Sequence, residues 1–418
     1  MSPSPRATVH VGAPKTGTTY LQAVLWRNRQ TLAASGVHYP LTRPHEHFPA
    51  ALDLRGMSWG GRAQSDWEGS WDRLAARMRS VRGSVVLSNE LLGGATAEQA
   101  ARLVDDLSGK AGREVHIVFT ARDLARQLAS DWQEHVKHRH TVTFERFVDD
   151  LVRLGRDAPA PFGELFWGLH DAAAVLDRWS EVVPPERIHV VTVPPSGGSD
   201  PGLLWQRFAL ASGLAEVEVD LSVRPRNVSL GTVEAELVRR LNVVLRGRFA
   251  HPRYDELVRQ LLAETVLVAP QRVSPVSPRP QLPPERDGWV QARSQEMIEA
   301  LQRGGFDVVG DLDELLPPPA PDGPQPDTVD AEQLLPVALD GMAGLLRQLA
   351  RARDEVDYWR DGSWRHRLVR YSDQHQWVMP VRRAYTAGAG RLRRLRHRAA
   401  AAAAAAAGKS DDVEGSDD

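Results

Sequence analysis

Residues 8–25 read Thr-Val-His-Val-Gly-Ala-Pro-Lys-Thr-Gly-Thr-Thr-Tyr-Leu-Gln-Ala-Val-Leu, and this stretch decides the fold of the chain. The apolar run at 8–11 predicts a strand, and the glycine- and threonine-rich segment 12–17 predicts a tight loop. Residues 19–35 place apolar side chains at helical spacing and predict a helix. The N–H groups in a helix's first turn, reinforced by the helix dipole, form an anion site. The expected ligand of this loop is therefore a phosphate or a sulfate.

The position of Lys15 separates this loop from the phosphate-binding motif GxxxxGK[ST]. Gly12 and Gly17 have the spacing of that motif, but Thr18 stands where the motif has its lysine, and Lys15 lies inside the loop. The chain uses arginine almost everywhere and contains only four lysines among 52 Lys plus Arg. A compact ammonium suits a developing negative charge better than a planar guanidinium does. Lysine at this position therefore indicates a group placed beside a reacting anion.

Two segments resemble PAPS-dependent sulfotransferases, where PAPS is 3′-phosphoadenosine 5′-phosphosulfate. The family's 5′-phosphosulfate loop resembles Pro14-Lys15-Thr16-Gly17-Thr18-Thr19 and the Tyr-Leu-Gln that follows. The family's 3′-phosphate element resembles the apolar run 115–120, followed by Arg122 and, eight residues later, by Ser130. The resemblance implies that these residues bind PAPS, that the loop lysine contacts the bridging oxygen of the phosphosulfate, and that no metal is needed. Arg122 and Ser130 would then hold the 3′-phosphate.

The general base that an acceptor hydroxyl requires has two candidate positions. Glu90 follows the predicted strand 85–88, where cytosolic sulfotransferases carry a Lys-x-His pair, although this chain has Ser88 and Glu90 there. Glu46 and His47 lie in the long loop 37–66 and resemble the carboxylate segment that heparan sulfate sulfotransferases place after their first helix. Both candidates stay open. The structural alternatives are a helix-capping or arginine-paired carboxylate for Glu90 and a packed loop residue for His47.

A polar loop over 224–231 precedes a helix predicted over 232–245. Sulfotransferases close over the adenosine with a late, basic, glycine-containing loop, so the resemblance makes Arg226 and Asn227 candidates for nucleotide binding. The alternative is a plain helix start capped by Ser229. A second basic cluster at 135–140 is expected either at a solvated helix end or opposite an anionic acceptor.

The alternation of strands and helices over 1–316 predicts an α/β domain of three layers with a mainly parallel sheet. The resemblance makes this a P-loop NTPase-like sulfotransferase fold. A proline-rich linker over 317–329, a helical basic extension over 330–400 and a disordered tail over 401–418 are expected to follow. The basic extension carries Arg391, Arg393, Arg394, Arg396 and Arg398.

The amino-acid composition excludes several classes of protein and of functional site. The chain has 418 residues, a formal net charge of −2 and no cysteine. It therefore has no disulfide framework, Cys-ligated zinc or cysteine nucleophile, and its charge does not indicate a bulk nucleic-acid binder. The first residues contain no apolar leader, and no stretch approaches the roughly 18 to 20 apolar residues of a membrane span. A soluble cytoplasmic protein of unknown oligomeric state is expected.

The expected reaction is transfer of a sulfuryl group from PAPS to a hydroxyl or amine of a carbohydrate, glycolipid or small metabolite. One alternative is a P-loop kinase for nucleosides or other small molecules, with Thr18 on magnesium and Asp123 as the metal carboxylate. It is disfavoured because the lysine is displaced and Asp123 follows Arg122, which should face the ligand. The other alternative is a non-catalytic scaffold that binds nucleic acid or an anionic membrane through its arginine-rich C-terminal helix.

Overall fold

The computed structural model describes residues 4–109, 112–195, 202–223, 229–270, 272–318 and 325–361. In these ranges, six strands form one parallel sheet. The strands are β1 (Arg6–His10), β2 (Val37–His38), β3 (Ser84–Ser88), β4 (Glu114–Ala121), β5 (Ile188–Thr192) and β6 (Asp307–Val309).

Helices connect these strands and surround the sheet. They are α1 (Thr18–Arg27), α2 (Arg29–Ala34), α3 (His47–Arg55), α4 (Ser70–Ser80), α5 (Ala97–Ser108), α6 (Leu124–Lys137), α7 (Phe144–Leu154), α8 (Phe162–His170), α9 (Ala172–Ser180), α10 (Leu203–Ser212), α11 (Thr232–Leu245), α12 (His251–Tyr254), a π-helix (Asp255–Val266), α13 (Asp287–Arg303) and α14 (Ala331–Asp361). The predicted α/β class with a parallel sheet is confirmed.

The strand order is β2-β3-β1-β4-β5-β6, and every neighbouring pair is parallel. From β1 the chain continues to β2, which lies beyond β3 at one edge of the sheet. From β4 it continues to β5, which lies toward the opposite edge. The connections therefore diverge between the adjacent strands β1 and β4. In open parallel sheets, ligands bind outside the carboxyl ends of the strands at such a point.

Strand β1 is buried on both faces. Ala7 and Val9 on one face, and Thr8 and His10 on the other, are at most 1% exposed. The His10 ring lies edge-on to Phe208 of α10, with the ring centroids 5.2 Å apart. Because side chains alternate along a strand, covering layers must lie on both sides of the central strand. This agrees with the three-layer arrangement that the alternation of strands and helices predicts.

The strands predicted at 8–11, 85–88 and 115–120 correspond to β1, β3 and β4 with small shifts at their ends, whereas the helix predicted over 19–35 is divided at Asn28 into α1 and α2. Helix α11 has the predicted bounds, and α5 begins with a reciprocal cap, in which Gln99 N–H donates to the Thr96 hydroxyl at 3.3 Å. The predicted loop 37–66 contains strand β2 and helix α3, and two further helical segments were missed. Helix α8 is apolar on nearly every side and shows no amphipathic period, and the π-helix does not have the 3.6-residue repeat. Helix α11 is capped by Gly231, so the alternative of a Ser229 cap is wrong.

The chain divides into two units, Met1–Met342 and Ala343–Asp418. In the first unit, residues beyond 316 also pack on the α/β domain. The Arg240 guanidinium donates to the Val329 carbonyl at 2.6 Å, and Asp340 accepts from the Ser274 N–H at 2.8 Å. The predicted boundaries at 316, 329 and 400 remain predictions, and the arginine-rich stretch 391–398 and the tail lie outside the described residues. Every helix in the described ranges is too short or too polar to span a bilayer.

Candidate functional site

The loop after β1 is anchored to β4 by its backbone. Ala13 N–H donates to the Thr120 carbonyl at 2.9 Å, and Thr120 N–H donates to the Gly12 carbonyl at 2.6 Å. Gly12 has a φ of 131°, and a Cβ at this position would lie 3.2 Å from the Glu90 carbonyl oxygen. Only glycine fits this conformation without strain. The loop therefore runs close to the ends of both neighbouring strands, β3 and β4.

A buried polar network lies under the loop. The His10 ring bonds the Ser88 hydroxyl at 2.8 Å and the Thr120 hydroxyl at 3.1 Å, so it bridges β3 and β4 across β1. Thr120 in turn bonds the Thr16 hydroxyl at 2.5 Å. Burial lowers the pKa of His10 to about 4, so the ring is neutral at neutral pH. This network fixes the loop to the sheet, and the sequence analysis missed the part that His10 plays in it.

The threonines of the loop differ in what they contact. The Thr16 hydroxyl donates to the Ala13 carbonyl at 2.5 Å and is engaged with Thr120, so it holds the loop together. Thr18 is 4% exposed at the start of α1. Gly17 caps this helix with a φ of 91° and no side-chain hydrogen bond, and the first turn carries no acidic residue. The N-terminus of α1 thus keeps its positive dipole end at the loop, next to Thr19.

Lys15 points to helix α6. Its ammonium donates to Oε2 of Glu134, and the Lys137 ammonium forms an ion pair with the same oxygen at 2.8 Å. His138 Nε2 lies 3.2 Å from Oε1 of Glu134. Burial alone would raise the pKa of Glu134, but Lys15, Lys137 and the His138 hydrogen bond hold that pKa well below its usual range. The expectation of a solvated helix end is therefore wrong for Lys137, whose side chain is 6% exposed.

Arg122 follows β4 directly and bonds Ser130 on helix α6. Its Nη2 donates to the Ser130 hydroxyl at 2.7 Å and to the Arg126 carbonyl. In the described ranges no carboxylate lies within 4.0 Å of this guanidinium, and its buried Nε has no hydrogen-bond partner. Burial, followed by repulsion from Arg126, lowers the pKa of Arg122 to about 10, so the side chain stays charged at neutral pH. A buried cation with a donor to spare is suited to an anionic ligand.

Glu90 lies at the end of β3 and accepts from the Gln22 side chain of α1 at 3.1 Å. It forms no ion pair within 4.0 Å in the part of the chain that the structure describes. Its negative charge, after burial, contributes to a raised pKa of Tyr39. The Tyr39 hydroxyl lies 3.4 Å from Nδ1 of His47. The structure thus brings the two predicted base segments together around Tyr39.

Glu46 and His47 are already engaged or buried. The Glu46 carboxylate accepts from the Thr42 N–H at 2.7 Å and from the Arg77 guanidinium at 2.6 Å. Burial opposes the shift, but these bonds lower the pKa of Glu46. His47 is 4% exposed, and burial followed by the neighbouring His45 lowers its pKa to about 3. Glu46 is therefore paired with a cation, and His47 is buried and neutral at neutral pH.

Arg226 and Asn227, the predicted adenosine-loop residues, lie outside the described residues. Asp123, the carboxylate of the kinase alternative, is 1% exposed, caps helix α6 through the Arg126 N–H at 2.9 Å and pairs with the Arg126 side chain. In the described residues, no cluster of three or more His, Asp or Glu side chains is arranged to hold a metal ion.

Comparisons with known proteins give little guidance. No protein-family profile matches the chain, and no curated protein matches it. A solved structure, the crystal structure of a sulfotransferase from Alicyclobacillus acidocaldarius, is similar at 17% identity with a TM-score of 0.36. The match covers 62% of this chain and 96% of that chain. Because the identity and the TM-score are both low, the match does not place the chain in a family.

Proposed function

We propose that this chain is a PAPS-dependent sulfotransferase. It transfers a sulfuryl group to a hydroxyl or amine of a carbohydrate, glycolipid or small metabolite. The observation that carries the proposal is the pairing of Arg122 with Ser130 at 2.7 Å beside β4, next to the strand that ends in the Lys15 loop. The sequence resemblance assigns these two segments to the two ends of one nucleotide, and both follow the strands between which the sheet connections diverge.

The loop and helix α1 hold the 5′ end of the donor in this account. The positive end of α1 and the Lys15 ammonium neutralise charge that develops on the leaving bridging oxygen. Arg122 and Ser130 hold the 3′-phosphate through the guanidinium fork and a hydroxyl, with the buried Nε of Arg122 as an additional donor. Fixing both ends of the donor places its sulfur in one position for attack.

Glu90 is the proposed general base. The acceptor oxygen forms a new bond to sulfur while the bond from sulfur to the bridging oxygen breaks. The acceptor proton goes to Glu90, and the electron pair of the broken bond leaves with adenosine 3′,5′-bisphosphate. Gln22 orients the Glu90 carboxylate through its 3.1 Å hydrogen bond. Glu46 has a structural part in this account, because Arg77 already neutralises it.

The kinase alternative is less well supported. Its metal carboxylate, Asp123, already serves as a helix cap and as the partner of Arg126. Its metal-binding hydroxyl, Thr18, is buried. The scaffold alternative depends on the arginine-rich stretch 391–398, which lies outside the described residues, and it stays a prediction.

A transfer assay with ³⁵S-labelled PAPS tests the proposal. Wild type is offered carbohydrate, glycolipid and hydroxylated small-molecule acceptors, and label in the acceptor is measured. We expect Lys15→Ala and Glu90→Gln each to lower the rate by roughly 100-fold or more. Arg102→Ala, at a side chain 51% exposed, is the matched control and should leave the rate unchanged. Transfer of labelled phosphate from Mg-ATP without sulfuryl transfer to any acceptor would overturn the proposal.

A further inference from the structure

Two lysines bond a single carboxylate oxygen. Oε2 of Glu134 accepts a hydrogen bond from Lys15 in the loop and forms an ion pair with Lys137 on helix α6, and the Lys137 side chain is almost completely buried. The chain has only four lysines, so two of the four meet at one atom. In the proposed sulfuryl transfer only Lys15 has a role, and none is assigned to Glu134 or Lys137.

The Glu134 carboxylate binds the Lys15 ammonium as the oxygen of an anionic ligand would. A carboxylate oxygen and an oxygen of a phosphosulfate are both anionic acceptors for an ammonium group. An incoming donor must therefore compete with Glu134 for the Lys15 ammonium. The two partners are 119 residues apart in the chain, so tertiary packing and not local sequence brings them together.

Lys137 affects how strongly Glu134 competes with the donor for the Lys15 ammonium. The Lys137 ammonium lies 2.8 Å from Glu134, so this carboxylate would keep a cationic partner if Lys15 turned to an anion. Among the described residues, the other charged and titratable groups facing this cluster are His138 at 3.2 Å from Glu134, Glu264 at 3.6 Å from Lys137, and Arg259 at 3.5 Å from Glu264. Without Lys137, Glu134 would have Lys15 as its one close lysine partner in the part of the chain that the structure describes, and would hold it more firmly.

We propose that Glu134 is a positioning residue that holds Lys15 in the ligand-free site, and that Lys137 takes over Glu134 when Lys15 turns to the anionic group of the donor. The inference rests on the proposed function for the identity of the donor. It predicts opposite effects for the two partners. Removing the charge of Glu134 strengthens anion binding, and removing Lys137 weakens it.

A double-mutant cycle measured by calorimetry with adenosine 3′,5′-bisphosphate tests this inference. We expect Glu134→Gln to bind roughly fivefold to twentyfold more tightly than wild type and Lys137→Met to bind more weakly by a similar factor. In the double variant the effect of Lys137→Met should largely disappear, since its partner carries no charge. Glu296→Gln, which removes the same charge from a side chain 65% exposed, is the matched control and should bind like wild type.

If Glu134 only stabilised the fold, its variants would not bind the bisphosphate more tightly than wild type. Weaker or unchanged binding by a folded Glu134→Gln variant, or an equal Lys137→Met effect in both backgrounds, would overturn the inference. Circular dichroism melting of each variant establishes that it is folded, and Glu134→Asp, which keeps the charge, serves as a second variant if Gln unfolds the chain. Because Glu134→Asp keeps the charge, Lys137→Met should still weaken bisphosphate binding in the Glu134→Asp background.

Inorganic sulfate separates failure of this inference from failure of the proposed function. Lysines labelled by ¹³C reductive methylation keep their charge, and the Lys15 signal reports directly on anion binding. We expect sulfate to shift the Lys15 signal at lower concentrations in Glu134→Gln than in wild type. If sulfate does so while the bisphosphate does not bind, the proposed function fails and the inference stands. Equal sulfate responses in the two proteins would overturn the inference.

Discussion

The guanidinium of Arg122 donates a 2.7 Å hydrogen bond to the hydroxyl of Ser130, eight residues further along the chain. Arg122 directly follows the central strand β4 and Ser130 lies about two turns into the next helix, so strand and helix together fix one small polar site. The same helix continues to Glu134, which bonds the loop lysine. Helix α6 therefore carries groups that contact both halves of the candidate nucleotide site.

Substitutions at this pair should weaken bisphosphate binding by different amounts. Ser130→Ala removes one hydroxyl and should weaken binding by roughly fivefold to thirtyfold, which is about 1 to 2 kcal/mol. Arg122→Lys keeps the charge but loses the fork, so we expect a larger loss, of about 100-fold. Calorimetric titration checks both values. Equal affinity in wild type and Arg122→Lys would show that the guanidinium does not contact the nucleotide.

His10 should make the fold sensitive to mild acid. Its pKa in the folded protein is about 4, below the usual value near 6.5, because the ring is buried. The unfolded chain therefore binds this proton first, and stability that is complete above pH 6.5 is lost as the pH falls toward 4. We expect wild type to lose about 2 to 3 kcal/mol more than His10→Asn between pH 7 and pH 4.5.

Urea unfolding of wild type and His10→Asn at a series of pH values measures this difference. At pH 7 the variant should already be less stable by about 1 to 3 kcal/mol, since it disturbs the hydrogen bonds to Ser88 and Thr120. Parallel curves of unfolding free energy against pH for the two proteins would show that His10 does not titrate on unfolding in this range.

The Glu46–Arg77 pair should contribute to stability and not to catalysis. Because the pKa of Glu46 is lowered in the folded state, its contribution is present above the usual glutamate pKa and is lost as the pH falls through the folded value. Glu46→Gln should therefore destabilise the fold by about 1 to 2 kcal/mol at pH 7, and by less as the pH falls below the usual glutamate pKa. A sulfuryl-transfer rate close to that of wild type is expected. A rate as low as that of Glu90→Gln would instead make Glu46 the base.

Much of the fold could be predicted from local sequence. The strand, loop and helix at residues 8–25, and the Arg122–Ser130 spacing, are encoded within short segments, and periodicity and glycine positions are sufficient to identify them. Helix α8 could not be found in this way, because its residues are buried on nearly every side and show no polar face. Strand β2 has only two residues, too few for any pattern.

The parts of the site that depend on contacts between residues far apart in the chain could not be predicted from the sequence. Nothing near Lys15 in the chain indicates Glu134 as its partner, and a histidine in an apolar strand does not show that His10 bridges two neighbouring strands. One signal was available in the sequence: the rarity of lysine, which applies to Lys137 as well as to Lys15. The site roles of Lys15, Glu90, Arg122 and Ser130 stay predictions until they are measured.

The most direct test of the central claim is calorimetric titration of wild type and Arg122→Ala with adenosine 3′,5′-bisphosphate without metal, and separately with Mg-ATP. We predict metal-free binding of the bisphosphate that is weakened at least 100-fold in Arg122→Ala, with weak binding of Mg-ATP to both proteins. Tight binding of Mg-ATP, together with weak bisphosphate binding that Arg122→Ala does not change, would contradict a sulfotransferase donor site.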